Sequence, residues 1–218
     1  MVYNDSRVLI SALDEGDVDR LYTIRRVKLQ DLYPDQWHQT LVQFCPETAI
    51  IHVLQRCSGL NSRDDYGRSM LHHSIRFRRP FVTRWLLKRG VTHHVPDNDG
   101  WTPLRLAIRS GDLPTAEFLL SRTPDLNTTL SDGRSALHLA LQYSRGSIVD
   151  TLLAAGVDTS LRDKLDQSAW YYALRYGTSE TVDRLWKTQP PDDSELVETA
   201  RQYAHPSIYL RLRNWLAS

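Results

Sequence analysis

The residues of this chain that could do chemistry are its histidines, of which there are eight. Two pairs are adjacent, His72-His73 and His93-His94. Neighbours on a helix diverge by about 100°, so His72-His73 is not a ready metal site. His93-His94 falls in a turn, and no cysteine or carboxylate stands at a spacing that completes a zinc motif. There is no glycine-rich phosphate loop, nucleophile elbow or His-Glu-x-x-His. An enzyme built on this sequence would have to use acid–base work by titratable His and Tyr side chains. His73, Arg105, Tyr143 and Tyr171 are the groups that would carry it.

What positions these residues is a repeat. Four segments share one pattern: Asp-Tyr-Gly-Arg-Ser-Met-Leu-His (65–72), Asn-Asp-Gly-Trp-Thr-Pro-Leu-Arg (98–105), Ser-Asp-Gly-Arg-Ser-Ala-Leu-His (131–138) and Leu-Asp-Gln-Ser-Ala-Trp-Tyr (165–171). Gly67, Gly100 and Gly133 recur every 33 residues, and Asp166 takes the next place. A second phrase keeps step: Trp85-Leu86-Leu87, Phe118-Leu119-Leu120 and Thr151-Leu152-Leu153. The glycine suits a turn with φ > 0. Ser69, Thr102, Ser135 and Ser168 suit helix N-caps, and Pro103 the first helical position. The Asp-rich turn tips (Asp64, Asp65, Asp97, Asp99, Asp132, Asp163) fit turn chemistry, because a short carboxylate caps nearby N–H groups. Leu104, Ala107, Leu119, Leu137, Ala140 and Leu152 fall on the buried side of the helices. A small residue recurs in each first helix as Ser74, Ala107, Ala140 and Ala173, leaving room for the neighbouring unit. Gly90 and Gly156 end two of the second helices, while Thr123 and Gln189 take that place in others.

A 33-residue period with a turn, a Thr-Pro-Leu-His-like start and a later Leu-Leu resembles the ankyrin repeat. The resemblance implies an all-α solenoid of about six or seven helix–turn–helix units with short hairpin-like turns. The expected organisation is one domain over 1–218. It has an N-terminal capping unit (1–30), a divergent repeat (31–63), clear repeats at 64–96, 97–129 and 130–162, a second divergent repeat (163–195) and C-terminal capping helices (196–218). Pro190-Pro191-Asp192-Asp193 breaks the chain before that last pair. His72 and His138 fall in the slot where the family's histidine braces the turn. Arg105 and Tyr171 stand there in the other units, and these departures suggest a place freed for a ligand.

The family's usual contact positions lie on a concave face and can be located residue by residue. One follows the turn glycine: Arg68, Trp101, Arg134 and Gln167. Two more end the first helix. The first of these reads Gln43, Arg76, Arg109, Gln142, Arg175, and the second Phe44, Phe77, Ser110, Tyr143, Tyr176. Arginine and aromatic residues supply binding hot spots, because they join planar hydrogen bonding to large apolar area. Such a wall suits an acidic or aromatic-rich protein or peptide, with an anionic small molecule as the second choice. The basic cluster Arg76, Arg78, Arg79, Arg84, Lys88, Arg89 is spread over two helices and reads as a solvated face.

Composition narrows the partners further. The 218 residues carry a formal net charge of +1, so no global field draws the chain to nucleic acid or to a membrane. No apolar run approaches the roughly 20 residues a bilayer demands. Cys45 and Cys57 form no spaced framework and fit a reducing compartment. The start shows no basic region followed by an apolar stretch. The expectation is a monomeric cytoplasmic or nuclear interaction module, an adaptor or an inhibitor, with no cofactor and no metal. The alternative is a noncanonical enzyme or small-molecule binder using the same groove.

Overall fold

The computed structural model describes residues 6–25, 27–28, 37–122, 125–188 and 195–216. Helices come in pairs, an inner one and an outer one. They divide into two compact units, residues 1–106 and 107–218. The first contains α1 (Ser6–Glu15) and α2 (Val18–Leu21), α3 (Trp37–Phe44) and α4 (Glu47–Gln55), and α5 (Met70–Arg76) and α6 (Pro80–Lys88). The division falls inside α7 (Pro103–Ser110). The second contains α8 (Leu113–Leu120), α9 (Ala136–Gln142) and α10 (Gly146–Ala154), α11 (Ala169–Tyr176) and α12 (Ser179–Thr188), and α13 (Glu195–Tyr203) and α14 (Pro206–Leu216). A parallel pair of two-residue strands, β1 (Val27–Lys28) and β2 (Cys57–Ser58), is a minor addition to an all-α solenoid.

The local code acts as its residue types dictate. Ser69, Ser135 and Ser168 are N-caps in extended conformation, and Pro103 opens α7. The turns before them have φ of 73°, 84° and 84° at Gly67, Gly100 and Gly133, and 61° at Asp166. Three of these four turns are small hairpins closed by isolated antiparallel bridges, Arg63–Ser69, Thr129–Ser135 and Arg162–Ser168. Gly90 and Gly156 end α6 and α10 with φ of 71° and 76°. Thr123, Gln189 and the Pro190–Asp193 break lie outside the described residues.

Packing follows the pairing. In the first unit α3 packs on α5 and α4 on α6; in the second, α9 packs on α11 and α11 on α13, with α8, α10, α12 and α14 forming the outer row. Leu104, Ala107, Leu119, Leu137, Ala140 and Leu152 are buried. Ser74 is buried too, and it satisfies its hydroxyl by donating to the Leu71 carbonyl and accepting from Thr83 Oγ1. Trp186 stacks on Trp215 at 4.8 Å and meets Trp170 edge-on at 6.2 Å, which ties α14 to α12 and α11.

Polar bonds join successive repeats at two levels. At the tips, Asn98 N–H donates to the Tyr66 carbonyl and Lys164 N–H to the Asp132 carbonyl, both at 2.9 Å. At the far end of the inner helices, two arginines cap the helix before them. Arg79 donates to the Val42 and Gln43 carbonyls at 2.8 and 2.7 Å, and Arg145 to the Arg109 carbonyl at 2.9 Å. Helix C-termini leave such carbonyls without partners, so these bonds meet a standing need.

Candidate interaction surface

The turn-bracing slot comes first, because it decides what is left for a ligand. His72 Nδ1 accepts from the Ser69 N–H at 3.1 Å, and its Nε2 donates to the Trp101 carbonyl at 3.1 Å. His138 repeats this with Ser135 and Gln167, at 3.1 and 3.2 Å. Both rings use one nitrogen as acceptor and the other as donor, which requires the neutral form. Burial agrees: it pushes His72 down to about 4 and lowers His138.

Arg105 corrects one expectation. It is buried, its N–H bonds the Thr102 hydroxyl, and its Nη1 donates to the Gly100 carbonyl at 2.9 Å. The side chain that departs from histidine takes over the bracing of its own turn, so the slot is not freed for a ligand. Tyr171, in the corresponding slot, is likewise engaged: its hydroxyl accepts from Arg175 Nη1 at 2.5 Å. His73 is 0% exposed, with Nε2 bonded to Asp64 Oδ2 at 2.9 Å. A base sealed in this way meets no substrate. Among the described residues no group of three or more His, Cys, Asp or Glu could hold a metal ion. No described helix is long and apolar enough to cross a membrane.

Asp64, Asp97 and Asp163 close their turns through Oδ1, which in each accepts two backbone N–H groups, at 2.8–3.0 Å. Their second oxygens find different partners. Asp64 takes His73, Asp163 takes the buried Tyr172 hydroxyl at 2.7 Å, and Asp97 faces Arg68 at 3.9 Å. Where the inner helix offers Leu106 instead of a polar group, an arginine from the preceding turn answers the carboxylate.

The position after the turn is therefore largely committed. Arg68 lies 4.4 Å from the Tyr66 ring centroid as well as near Asp97. Arg134 binds Asp132 Oδ2 through Nε at 2.7 Å and donates to Gln142 Oε1. Trp101 is half-buried.

The ends of the inner helices are more open. In the first unit Gln43 is half-buried and Phe44 is 71% exposed; Arg76 is exposed and Phe77 stacks at 6.2 Å on His73. In the second unit Arg109, Ser110, Gln142, Tyr143 and Tyr176 are half-buried and Arg175 is exposed. The aromatic row continues where the repeat period does not show it. α13 packs on α11 and ends in Gln202-Tyr203, both exposed, 27 residues after Arg175-Tyr176. Arg175 sits 5.9, 5.3 and 5.5 Å from the ring centroids of Tyr171, Tyr176 and Tyr203.

Paired inner and outer helices, hairpin tips and braced histidines are what the 33-residue period implies, and the comparison with known families agrees. The model for ankyrin repeats (3 copies) matches residues 41–129 and 93–163, together more than half of the chain. The chain belongs to the ankyrin-repeat family. Among curated proteins, this ankyrin-repeat chain is 35% identical over 69 residues to ankyrin repeat protein L271 of Acanthamoeba polyphaga mimivirus, covering 32% of this chain and 10% of that one. It is 33% identical over 96 residues to the protein named probable 26S proteasome regulatory subunit p28 of Saccharomyces cerevisiae, covering 40% and 42%. It is 35% identical over 71 residues to BTB/POZ domain-containing protein 1 of Schizosaccharomyces pombe, covering 32% and 5%. In each case the match spans less than half of the relative's length. Ankyrin repeats generally mediate protein–protein interaction.

Proposed function

We propose that this protein is an adaptor or inhibitor that holds a segment of another protein across the ends of its inner helices. One observation carries the reading. In the second unit four successive inner helices end in a hydrogen-bonding side chain followed by a hydroxyl-bearing one: Arg109-Ser110, Gln142-Tyr143, Arg175-Tyr176 and Gln202-Tyr203. All eight are half-buried or exposed, while the residues between them on the same helices form the core. Tyrosine offers rigid amphipathic contact area, and the polar side chains beside it can reach peptide carbonyls and carboxylates. In the first unit, Phe44, Arg76 and Phe77 place aromatic and arginine side chains at the corresponding helix ends, without the hydroxyls. One relative's name, a regulatory subunit, supports a partner that is itself a protein. Arg68 and Arg134, held by Asp97 and Asp132, act as supports for the turn tips.

The test is a double variant, Arg109→Ala with Tyr143→Ala. It is expected to weaken the complex with a co-purifying protein by at least about 2 kcal/mol, with little change in melting temperature. Calorimetry on the purified pair reads the first quantity and thermal denaturation the second. Wild-type affinity in the double variant would sink the reading.

A further inference from the structure

Arg175 is held by aromatic side chains, unlike the arginines of this unit that are held by carboxylates. Its Nη1 donates to the Tyr171 hydroxyl, and three tyrosine rings surround its guanidinium. Among the described residues no carboxylate pairs with it. By contrast Arg134 is answered by Asp132, Arg184 by Asp150 and Glu180, and Arg211 by Asp183. A guanidinium has five N–H donors. Among the described residues one of Arg175's is used, by the Tyr171 hydroxyl, and the side chain is exposed.

Rings and carboxylates engage different parts of a guanidinium. Aromatic rings stack on its face, while a carboxylate takes two N–H groups in its plane. The three tyrosines crowd the side chain, and among the described residues no carboxylate takes its remaining N–H groups. Restraint before binding lowers the cost of ordering a long side chain on association. One helix earlier, Gln142 spends its carbonyl oxygen on Arg134, which leaves its amide N–H groups as donors at the neighbouring position.

We infer that Arg175, Tyr171, Tyr176 and Tyr203 form a subsite for the side-chain carboxylate of an Asp or Glu in a bound peptide segment, with an apolar neighbour of that residue resting on the tyrosines. The inference rests on the protein-interaction reading above and names the chemistry of the partner. A cationic partner residue is disfavoured, because Arg175 already occupies the aromatic surroundings and repels a second charge. A nucleic acid is disfavoured by the net charge of +1, which gives little counterion release. Phosphate recognition draws on clusters of arginines, whereas one planar guanidinium matches one carboxylate.

The test uses the full chain and a phage-displayed library of random linear peptides. Selected peptides are expected to be enriched in Asp or Glu beside an apolar residue. By fluorescence anisotropy, Arg175→Gln should weaken a selected peptide at least about tenfold with unchanged melting temperature. Arg175→Lys should recover only part of the loss, since it keeps the charge and loses the planar fork. Replacing the peptide's acid by its amide should cost as much on wild type and nothing further on Arg175→Gln. Peptides that lack an acid, are rich in Lys or Arg, or bind Arg175→Gln normally overturn the subsite. If those peptides still lose affinity in Arg109→Ala with Tyr143→Ala, the interaction reading survives that failure. A selection that yields no binder, or binders indifferent to every one of these substitutions, counts against both.

Discussion

Gly133 and Asp166 hold the same place in consecutive turns under different demands. Gly133 has φ of 84°, and a Cβ there would come within 2.8 Å of Lys164 N and 3.0 Å of the Asp163 backbone. Gly133→Ala is expected to destabilise the fold by about 1–3 kcal/mol, read from urea unfolding. Asp166→Gly should move stability by less than about 1 kcal/mol, because Asp tolerates φ of 61°. A second residue-scale expectation concerns pH. His38, His72 and His73 are buried together, with His38 and His73 stacked at 6.0 Å. Burial pushes His38 down to about 3 and His72 to about 4, from an ordinary 6.5. Burial also lowers His73, helped by Arg68 and Arg76, although Asp64 favours its charged form. A folded-state pKa below the unfolded one means that the unfolded chain takes the proton first. Stability is therefore full above about pH 7 and is lost as pH falls below 6.5, by about 2 kcal/mol for each of His38 and His72 at pH 5. Chemical denaturation at pH 7.5 and 5 checks this, and equal midpoints would contradict it.

At the scale of elements, the interhelical arginines make the sharpest prediction. Gly111, at the bend between α7 and α8, has φ of 75°, and a Cβ on it would meet the Arg145 guanidinium carbon at 2.9 Å. Arg145→Met should cost about 1–2 kcal/mol by stranding the Arg109 carbonyl. Gly111→Ala should cost more in the presence of Arg145 than in its absence. A double-mutant cycle in thermal denaturation is expected to show that coupling, and strict additivity would refute it. Elements were legible wherever a residue type acts through its own backbone. Ser69 and Ser135 form capping boxes and Ser168 takes the N-cap position, the turn glycines adopt φ > 0, and Asp64, Asp97 and Asp163 close turns. Legibility stopped where a role depends on a neighbour in space. Arg105 looked like a vacancy in the histidine slot, yet its long side chain folds back to brace Gly100. Tyr203 escaped notice because α13 follows α11 at a shortened period. Arg79 reads as part of a solvated basic face and Arg145 carries no signal at all, although each caps a helix some 36 residues earlier.

For the whole molecule, stability in a repeat array is a sum over units and their nearest neighbours. Ala140 lies at 0% exposure where α9 meets its neighbours. Ala140→Asp buries a charge with no partner and is expected to cost more than about 3 kcal/mol. Hydrogen exchange should show the loss of protection spreading through α9, α10 and α11, and a loss confined to α9 would contradict nearest-neighbour coupling. The stacked tips carry a different consequence. Two of the glycine turns, those of Gly67 and Gly133, accept the next turn over them, Asn98 bonding Tyr66 and Lys164 bonding Asp132. The donor that would follow in this series is residue 197, which lies inside α13 rather than in a tip. Arrays of this kind lengthen by tandem duplication of whole units. A copy of 130–162 inserted behind the original would find a glycine beneath it and seat at once. A copy added beyond Asp166 would press its tip against a Cβ. The array can thus grow from within, and growth at this end has to begin with a single codon change back to glycine.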